Sequence, residues 1–265
     1  MSTLMINESK SVNFAGSLLA AARAETTKFF GLRTLVGLYA SGLLVTIALG
    51  WLLLGASAKA SGDNGFDTAM PAPLLVFATL QFGQLFFAAA AALHITNEYS
   101  SGSICTTLQS VPRRGTTLGA KAVLLAVLGF LAGVGLILVG TIPTALSAEQ
   151  YGEFGFSDLI SASLGAGIYL GLLSLMVLGL GLLCRNSAGA IVSAIALVVG
   201  LPQILQIIPI HWVQTLIQYL PTNAATLMAT GASEPYGPEV ALLVLIAWSV
   251  ALLGAGWISL RLRDA

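Results

Sequence analysis

Charged residues are scarce in this sequence, and their scarcity identifies the class of protein. Lysine and arginine together number 11 and the acids also number 11 among 265 residues, whereas 57% of the residues are hydrophobic. Soluble domains carry roughly 25% charged residues, so this chain is identified as an integral membrane protein. The net charge is zero, which gives no overall field of the kind that attracts nucleic acid.

The long apolar runs contain no Asp, Glu, Lys or Arg at all. A proton relay across a membrane needs such groups inside its spans, so a proton-coupled carrier and an intramembrane protease are both disfavoured. No pair of similar halves suggests a transporter built from inverted repeats.

Six charge-free windows are long enough to cross roughly 30 Å of hydrocarbon. The fifth is too long for one span, and Pro202, Pro209 and Pro221 divide it into a helix over about 188–208 and a broken apolar segment over 211–232. The predicted fold is therefore all-α, with six transmembrane helices and a partly inserted element before the sixth. The windows are 34–58, 69–97, 122–148, 159–184, 186–233 and 240–260.

The distribution of charge predicts how the spans are oriented. With six spans, every lysine and arginine except Lys59 falls on one side, and an excess of these residues in short loops marks the cytoplasm. We therefore expect a multi-pass protein of the cell membrane with both termini cytoplasmic. Most of the acids fall on the other side, namely Asp63, Asp67, Glu149, Glu153, Asp158, Glu234 and Glu239.

Cysteine and histidine are almost absent, with two of each. Cys105 and Cys184 both fall on the expected cytoplasmic side, where thiols stay reduced, so neither a disulfide nor a paired-cysteine metal site is expected. His94 and His211 fall at opposite ends of the spans and cannot share a metal or a catalytic serine. No catalytic residue and no metal ligand is predicted. The alternative of a membrane enzyme requires that a pair such as Ser187 and His94 meet in space.

An amphipathic helix is predicted over 14–33, before the first span. Helical spacing places Phe14, Leu18, Ala22, Phe29 and Leu32 within one arc, which is typical of a helix lying in the membrane interface. Glu25 projects into that apolar arc, where a carboxylate is costly unless it is paired. Its partner is either Lys28, at i,i+3, or a distant cation.

The segment 95–123 is polar and lies between the second and third spans. It carries N-E-Y-x-x-G-S-I-x-T-T-L, then V-P-R-R-G, then A-K-A. This arrangement resembles the first cytoplasmic loop of the membrane (permease) subunits of bacterial type-2 ATP-binding-cassette exporters. R-A-E-T-T-K-F-F-G-L-R before the first span is similar to the elbow helix of that family, and Q-Y-L-P-T-N-A before the sixth is similar to its outer re-entrant segment.

The resemblance implies one permease domain over 1–265, with a tail and elbow helix over 1–33, a coupling loop over 96–117 and an outer re-entrant segment over 209–239. It implies two copies of a separate ATPase, which would hold ATP and magnesium, and a second permease subunit that is identical or paralogous. This chain itself would be no enzyme and would hold no cofactor. The string GTTLGAK lacks the glycine spacing and the ending of a phosphate loop, which is consistent with a separate ATPase.

The function implied is ATP-driven export of an amphipathic or hydrophobic substrate, such as a drug, peptide or lipid-like molecule, through a cavity between two membrane subunits. Besides these subunits, only membrane lipids are expected as partners, and no nucleic acid. The alternative is a six-span scaffold that binds a cytoplasmic partner through the same loop without transport.

Glu98 is the central residue of the expected coupling site. An ionised carboxylate at the membrane interface gains from a nearby cation, and the candidates are Lys28 and Arg33 of the elbow, or Arg113, Arg114 and Lys121. A pair with the elbow would form a rigid lever, whereas an exposed Glu98 would only cap a helix. The resemblance assigns contact with the ATPase to Glu98, Tyr99, Gly102, Ser103, Thr106, Thr107, Arg113 and Arg114, and elbow roles to Glu25, Lys28 and Arg33.

Glutamines mark the expected substrate path. Gln81 and Gln84 stand at i,i+3 in the second span with Phe82 and Phe86 nearby, and Gln203 and Gln206 repeat that spacing in the fifth. They either offer neutral hydrogen bonds to the substrate or bond helices to each other within one subunit. The apolar residues Ile207 and Ile208 either form an outer gate or are simply buried.

Overall fold

The computed structural model of the chain describes residues 14–66, 69–100 and 114–262. Helix dominates these ranges, and no strand occurs within them. Six helices are long and apolar enough to cross a membrane. The predicted six-span helical class is thereby confirmed.

The first helix, α1 (Phe14–Gly31), precedes the spans. The first span joins α2 (Arg33–Leu49) and α3 (Ala56–Asp63) through a π-helical segment, and the fifth joins α7 (Ser187–Ile195) and α8 (Leu201–Gln206) in the same way. The remaining helices are α4 (Ala72–Ser100, second span), α5 (Arg114–Ala148, third), α6 (Phe156–Cys184, fourth), α9 (His211–Gln218), α10 (Pro221–Thr230) and α11 (Pro238–Leu262, sixth).

The bundle has a basic end and an acidic end. At the basic end, the guanidinium of Arg185 lies 5.6 Å from the ring centre of Tyr99 and donates a hydrogen bond to the carbonyl of Ser259. At the acidic end, Lys59 pairs with Glu149 at 2.5 Å. The six spans alternate between these ends, which follows from the loop charges of the sequence.

Glycines bring α5 and α6 into close contact. A Cβ on Gly129 would lie 2.6 Å from the carbonyl oxygen of Leu170, and one on Gly133 would collide with that of Ala166. Without side chains at these positions the backbones approach closely, as is usual where membrane helices pack. The small-residue faces at Gly129, Gly133, Gly167 and Gly171 therefore pack against each other within one chain.

The two π-helical segments lie where the spans depart from ideal helix. In the first span, within Gly50–Gly55, the carbonyl of Trp51 accepts a hydrogen bond from Ser147 Oγ of α5 at 2.9 Å. In the fifth span, the segment Ala196–Gly200 ends two residues before Pro202, which has no N–H to donate.

The broken segment after the fifth span forms α9 and α10, in agreement with the prolines of the sequence. Val213, Ile217 and Leu220 are buried together, and the Asn223 amide donates to the carbonyl of Ile217 at 2.7 Å. Trp248 of α11 donates its indole N–H to the carbonyl of Tyr219 at 3.0 Å. These bonds tie the segment to the sixth span.

Candidate functional site

Five ionisable side chains meet inside the protein near the basic end. We call them the ion-pair cluster: Glu25 and Lys28 of α1, His94 and Glu98 of α4, and Lys121 of α5. All except Lys28 are buried. The cluster joins α1 to both helices that flank residues 101–113.

Lys121 is the centre of the cluster. Its ammonium is 2.5 Å from Glu25 Oε2 and 2.8 Å from Glu98 Oε1, and the residue is only 2% exposed. Lys28 bridges the same two acids, at 3.1 Å to Glu25 and 3.0 Å to Glu98. Two carboxylates and two ammonium groups therefore balance, which is the condition under which buried charges are tolerated.

His94 completes the cluster on the side of α4. Its Nε2 lies 3.3 Å from Glu25 Oε2, yet neither ring nitrogen makes a hydrogen bond to any described residue. The ring packs against Phe29 of α1, with 5.6 Å between the ring centres. His94 thus contributes an aromatic contact and a polar edge at the same junction.

The surroundings shift the pKa of the α1 groups. Burial would raise the pKa of Glu25, but contact with His94, the charge of Lys121 and hydrogen bonds from Lys121 and Lys28 outweigh it and lower the pKa to about 2. For Lys28, burial acts to lower the pKa, whereas the hydrogen bonds to Glu98 and Glu25 raise it, and the net direction is upward. Both groups are charged at neutral pH.

The lowered pKa of Glu25 predicts an acid-dependent loss of stability. Since the folded value lies below the ordinary 4.5, ionised Glu25 stabilises the fold fully above pH about 4.5, by on the order of 3 kcal/mol, and this contribution vanishes as the pH falls towards 2. Thermal unfolding in detergent, followed by tryptophan fluorescence from pH 7 to pH 2.5, measures it. Glu25→Gln should be less stable at pH 7, and its deficit should shrink at low pH. An equal deficit at both pH values would contradict the prediction.

The sequence left two partners open for Glu25, and the structure shows both, because Lys28 and the distant Lys121 bind the same carboxylate. Glu98 pairs with Lys28 of the predicted elbow and is not an exposed cap. Arg33 begins the first span, is exposed and forms no ion pair with a described residue. The prediction that Arg33 pairs with Glu98 is therefore wrong.

Several predicted coupling residues fall outside the described ranges: Gly102, Ser103, Thr106, Thr107 and Arg113. Arg114 opens α5, and nothing is described of its side chain. Tyr99 is half-buried beneath Arg185. The loop predicted over 96–117 is shorter than expected, because α4 continues through Ser100 and α5 begins at Arg114.

Sequence reasoning missed His94 as a member of the cluster and gave Lys121 only as one cation among several. A signal for Lys121 exists, since this lysine lies about two turns from the start of the apolar helix α5, where only a paired cation is tolerated. For His94 the sequence offers no comparable signal, because a single histidine at the end of a span has no defined partner.

A second feature is a cleft of about 570 Å³ between α4, the fifth span and α10. Five of the six predicted substrate residues line it, namely Gln81, Phe82, Gln84, Gln203 and Gln206. Phe86 is not among its lining residues. Its Cβ packs at Gly42 of α2, where a Cβ on the glycine would approach to 3.1 Å, because α4 also supports the first span.

Gln84 bonds to another helix and also lines the cleft. The residue is buried, its Oε1 accepts a hydrogen bond from the hydroxyl of Tyr169 in α6, and its Nε2 donates to the carbonyl of Gln81 at 3.0 Å. Gln84 therefore forms the hydrogen bond between helices of one subunit that the sequence analysis gave as the alternative to substrate binding. Gln81, Gln203 and Gln206 are exposed, and their side chains form no such bond with another described residue.

The predicted gate residues differ from each other. Ile207 is 80% exposed at the end of the fifth span, whereas Ile208 packs beside Val213 and Ile217. The burial alternative thus describes Ile208, and the gate remains a prediction for Ile207.

Ser187 does not meet His94. Its hydroxyl lies 2.8 Å from that of Thr96, while the His94 ring faces Glu25 of α1. The pair on which a membrane enzyme depended is therefore not formed.

No protein-family model matches this chain, and no curated protein matches it either.

Proposed function

We propose that this chain is the permease subunit of an ATP-driven transporter of the ATP-binding-cassette class, resembling the bacterial type-2 exporters. It pairs with a second permease subunit, identical or paralogous, and with two copies of a separate ATPase that holds ATP and magnesium. The transported molecule is amphipathic or hydrophobic, as a drug, peptide or lipid-like compound is.

The ion-pair cluster is the observation that carries the proposal. Energy from a soluble ATPase has to enter through a polar segment at one end of the bundle, and 101–113 is such a segment between two spans. Glu98 and Lys121 stand on the two helices that flank it, and both bind α1. A force on the segment is thus passed to three helices together.

The sidedness of the proposal follows from charge. The basic end, with Lys28, Arg33 and Arg185, faces the cytoplasm of a cell membrane, and the acidic end faces outward. Under this orientation α1 is the elbow helix lying in the inner interface, and α9 with α10 is the outer re-entrant segment. Both termini are cytoplasmic.

The cleft is the proposed substrate path in this subunit. Gln81 and Gln203 offer neutral hydrogen bonds beside the apolar ring of Phe82. Ile207, exposed at the outer end of the fifth span, is placed to narrow the exit against the second subunit. A cleft wall with both apolar and hydrogen-bonding groups suits an amphipathic molecule.

Reconstitution tests the proposal. The chain is purified from its native membrane with a mild detergent, co-purifying proteins are identified by mass spectrometry, and the complex is placed in liposomes. We expect an ATPase in the complex and ATP-dependent movement of the uncharged amphipathic dye Nile red or of a fluorescent ceramide. Capture of a cytoplasmic protein that is no ATPase, with no ATP-dependent movement of either probe, would favour the scaffold.

Breaking the link between Glu98 and α1 is expected to uncouple ATP hydrolysis from transport. Glu98→Gln removes the charge that holds Lys28, so the proposed lever loosens while the nucleotide site on the partner is untouched. We expect near-normal ATP binding and at least a fivefold fall in probe moved per ATP hydrolysed. The ratio is measured in liposomes containing the assembled complex.

Lys28→Met provides the matched partner variant, since it breaks the same link and keeps the pair between Lys121 and Glu98. In probe moved per ATP, the double variant should be no worse than Glu98→Gln alone, because both changes break the pair between Lys28 and Glu98. Each change also removes one pair that they do not share, Lys121–Glu98 for Glu98→Gln and Lys28–Glu25 for Lys28→Met. Lys59→Met, which breaks an exposed pair at the acidic end, serves as the control. A normal transport ratio in Glu98→Gln would show that the cluster is structural only.

A further inference from the structure

We propose that the cleft binds an uncharged ligand bearing hydroxyl or amide groups on an apolar body, and that it discriminates against ammonium and carboxylate groups. The inference rests on the proposed function only in calling this ligand the transported substrate. Binding to the cleft is a property of the chain alone.

The described part of the lining carries many hydrogen-bonding groups and no charged side chain. Its polar side chains come from four helical segments, and none of the described residues that line it is Asp, Glu, Lys, Arg or His. The apolar remainder includes Leu74, Phe77, Phe82 and Val199. The polar members are Gln81, Gln84, Tyr169, Gln203, Gln206, Thr222, Asn223, Thr226 and Thr230.

Because the cleft lies deep in the membrane span, the absence of charge in its described lining determines which ligands it can bind. At 1.5 Å per residue, Gln81 lies about 14 Å and Gln84 about 18 Å from the start of α4, near the middle of a helix about 43 Å long. A charged group brought to that depth loses its hydration, and no counter-charge in the lining replaces it. A hydroxyl or amide loses far less and recovers hydrogen bonds from the glutamines.

The contact between Tyr169 and Gln84 orients the inner wall. The Tyr169 hydroxyl is held by Gln84 Oε1, while one N–H of the same amide is used by the carbonyl of Gln81. Gln84 thus has one amide N–H left beyond these two bonds, and its side chain is fixed by both of them. This N–H can donate to a hydroxyl or an amide carbonyl, whereas one neutral donor cannot replace the hydration that a carboxylate would lose.

Helix α10 supplies the outer wall. Thr222 is half-buried, and its Oγ1 is buried without a hydrogen-bond partner among the described residues. The neighbouring Asn223 uses its amide N–H for the carbonyl of Ile217, which leaves its side-chain oxygen as an acceptor. The Asn223 oxygen can therefore accept a hydrogen bond from a ligand hydroxyl or amide.

Binding by the purified full-length chain in lipid nanodiscs tests the inference. The probes share one dansylaminoundecyl chain and end in an alcohol, a primary amide, an ammonium or a carboxylate. Saturable energy transfer from the tryptophans to dansyl reports binding, and affinities are compared at equal probe concentration in the bilayer. We expect the alcohol and the amide to bind at least tenfold more tightly than either charged probe.

A charge placed in the cleft should change the preference. In Gln81→Glu, measured at pH 8, we expect the ammonium probe to gain at least tenfold in affinity and the carboxylate probe to lose. Thr226→Asp provides a second charged variant in case the first does not fold. Gln150→Glu puts the same change on an exposed site outside the cleft and should leave all four affinities unchanged.

Equal affinity for neutral and charged probes, absence of saturable binding, or an unaltered preference in the folded charge variants would overturn the inference. Such a result leaves ATP-driven transport by the complex standing. Conversely, selective binding without any ATP-dependent transport would overturn the proposed function and leave the inference intact.

Discussion

Replacing Lys121 by methionine is expected to destabilise the protein by about 3–5 kcal/mol, the cost typical of removing one partner of a buried ion pair. Methionine fills a similar volume but leaves Glu25 and Glu98 buried with only the half-exposed Lys28 between them. The pKa of Glu25 should rise as a result. Unfolding in mixed micelles, followed by tryptophan fluorescence, measures the loss.

A second change separates charge from packing at this site. Adding Glu25→Gln to Lys121→Met removes one uncompensated carboxylate, so it should restore part of the stability. Lys59→Met removes an exposed lysine paired with an exposed acid and should have little effect, since such pairs contribute little. Wild-type stability in Lys121→Met would contradict the assignment of Lys121 as the centre of the cluster.

Gly133→Ala is expected to destabilise the bundle by about 1–3 kcal/mol, the range for overpacking a filled interior. The added Cβ would collide with the backbone carbonyl of Ala166, and a backbone cannot move aside as a flexible side chain can. Helices α5 and α6 would have to separate along a contact that depends on close approach. The thermal midpoint and the folded yield after gel filtration measure the effect.

Gly135 offers a matched control two residues away on the same helix. A Cβ at Gly135 meets nothing within 4 Å, so Gly135→Ala should be neutral or slightly stabilising because alanine favours helix. If both variants lost stability equally, the contact with α6 would not explain the loss at Gly133, because a Cβ at Gly135 meets no neighbouring atom within 4 Å.

The sequence alone determined the class of fold. Charge-free windows of this length cannot be solvated, and their number and the side of each basic residue followed from counting. Pro209 likewise predicted where the fifth span ends, because proline cannot continue a helix's hydrogen bonds. Pro202 instead lies inside the span, near the start of α8, and Pro221 begins α10. These features depend only on the local composition of the sequence, which is the same whatever tertiary structure the chain adopts.

The tertiary structure decided which side chains meet. Glu25 inside an apolar arc required a cation, but 96 residues separate it from Lys121, and only the packing of α1 against α5 brings them together. Phe82 and Phe86 stand one turn apart, yet one lines the cleft and the other packs at Gly42, because the helix is shared between two neighbours. The hydrogen bond from Tyr169 of α6 to Gln84 of α4 likewise depends on how these two helices pack. Periodicity gives the face of a helix, whereas the neighbour on that face depends on how all the helices pack.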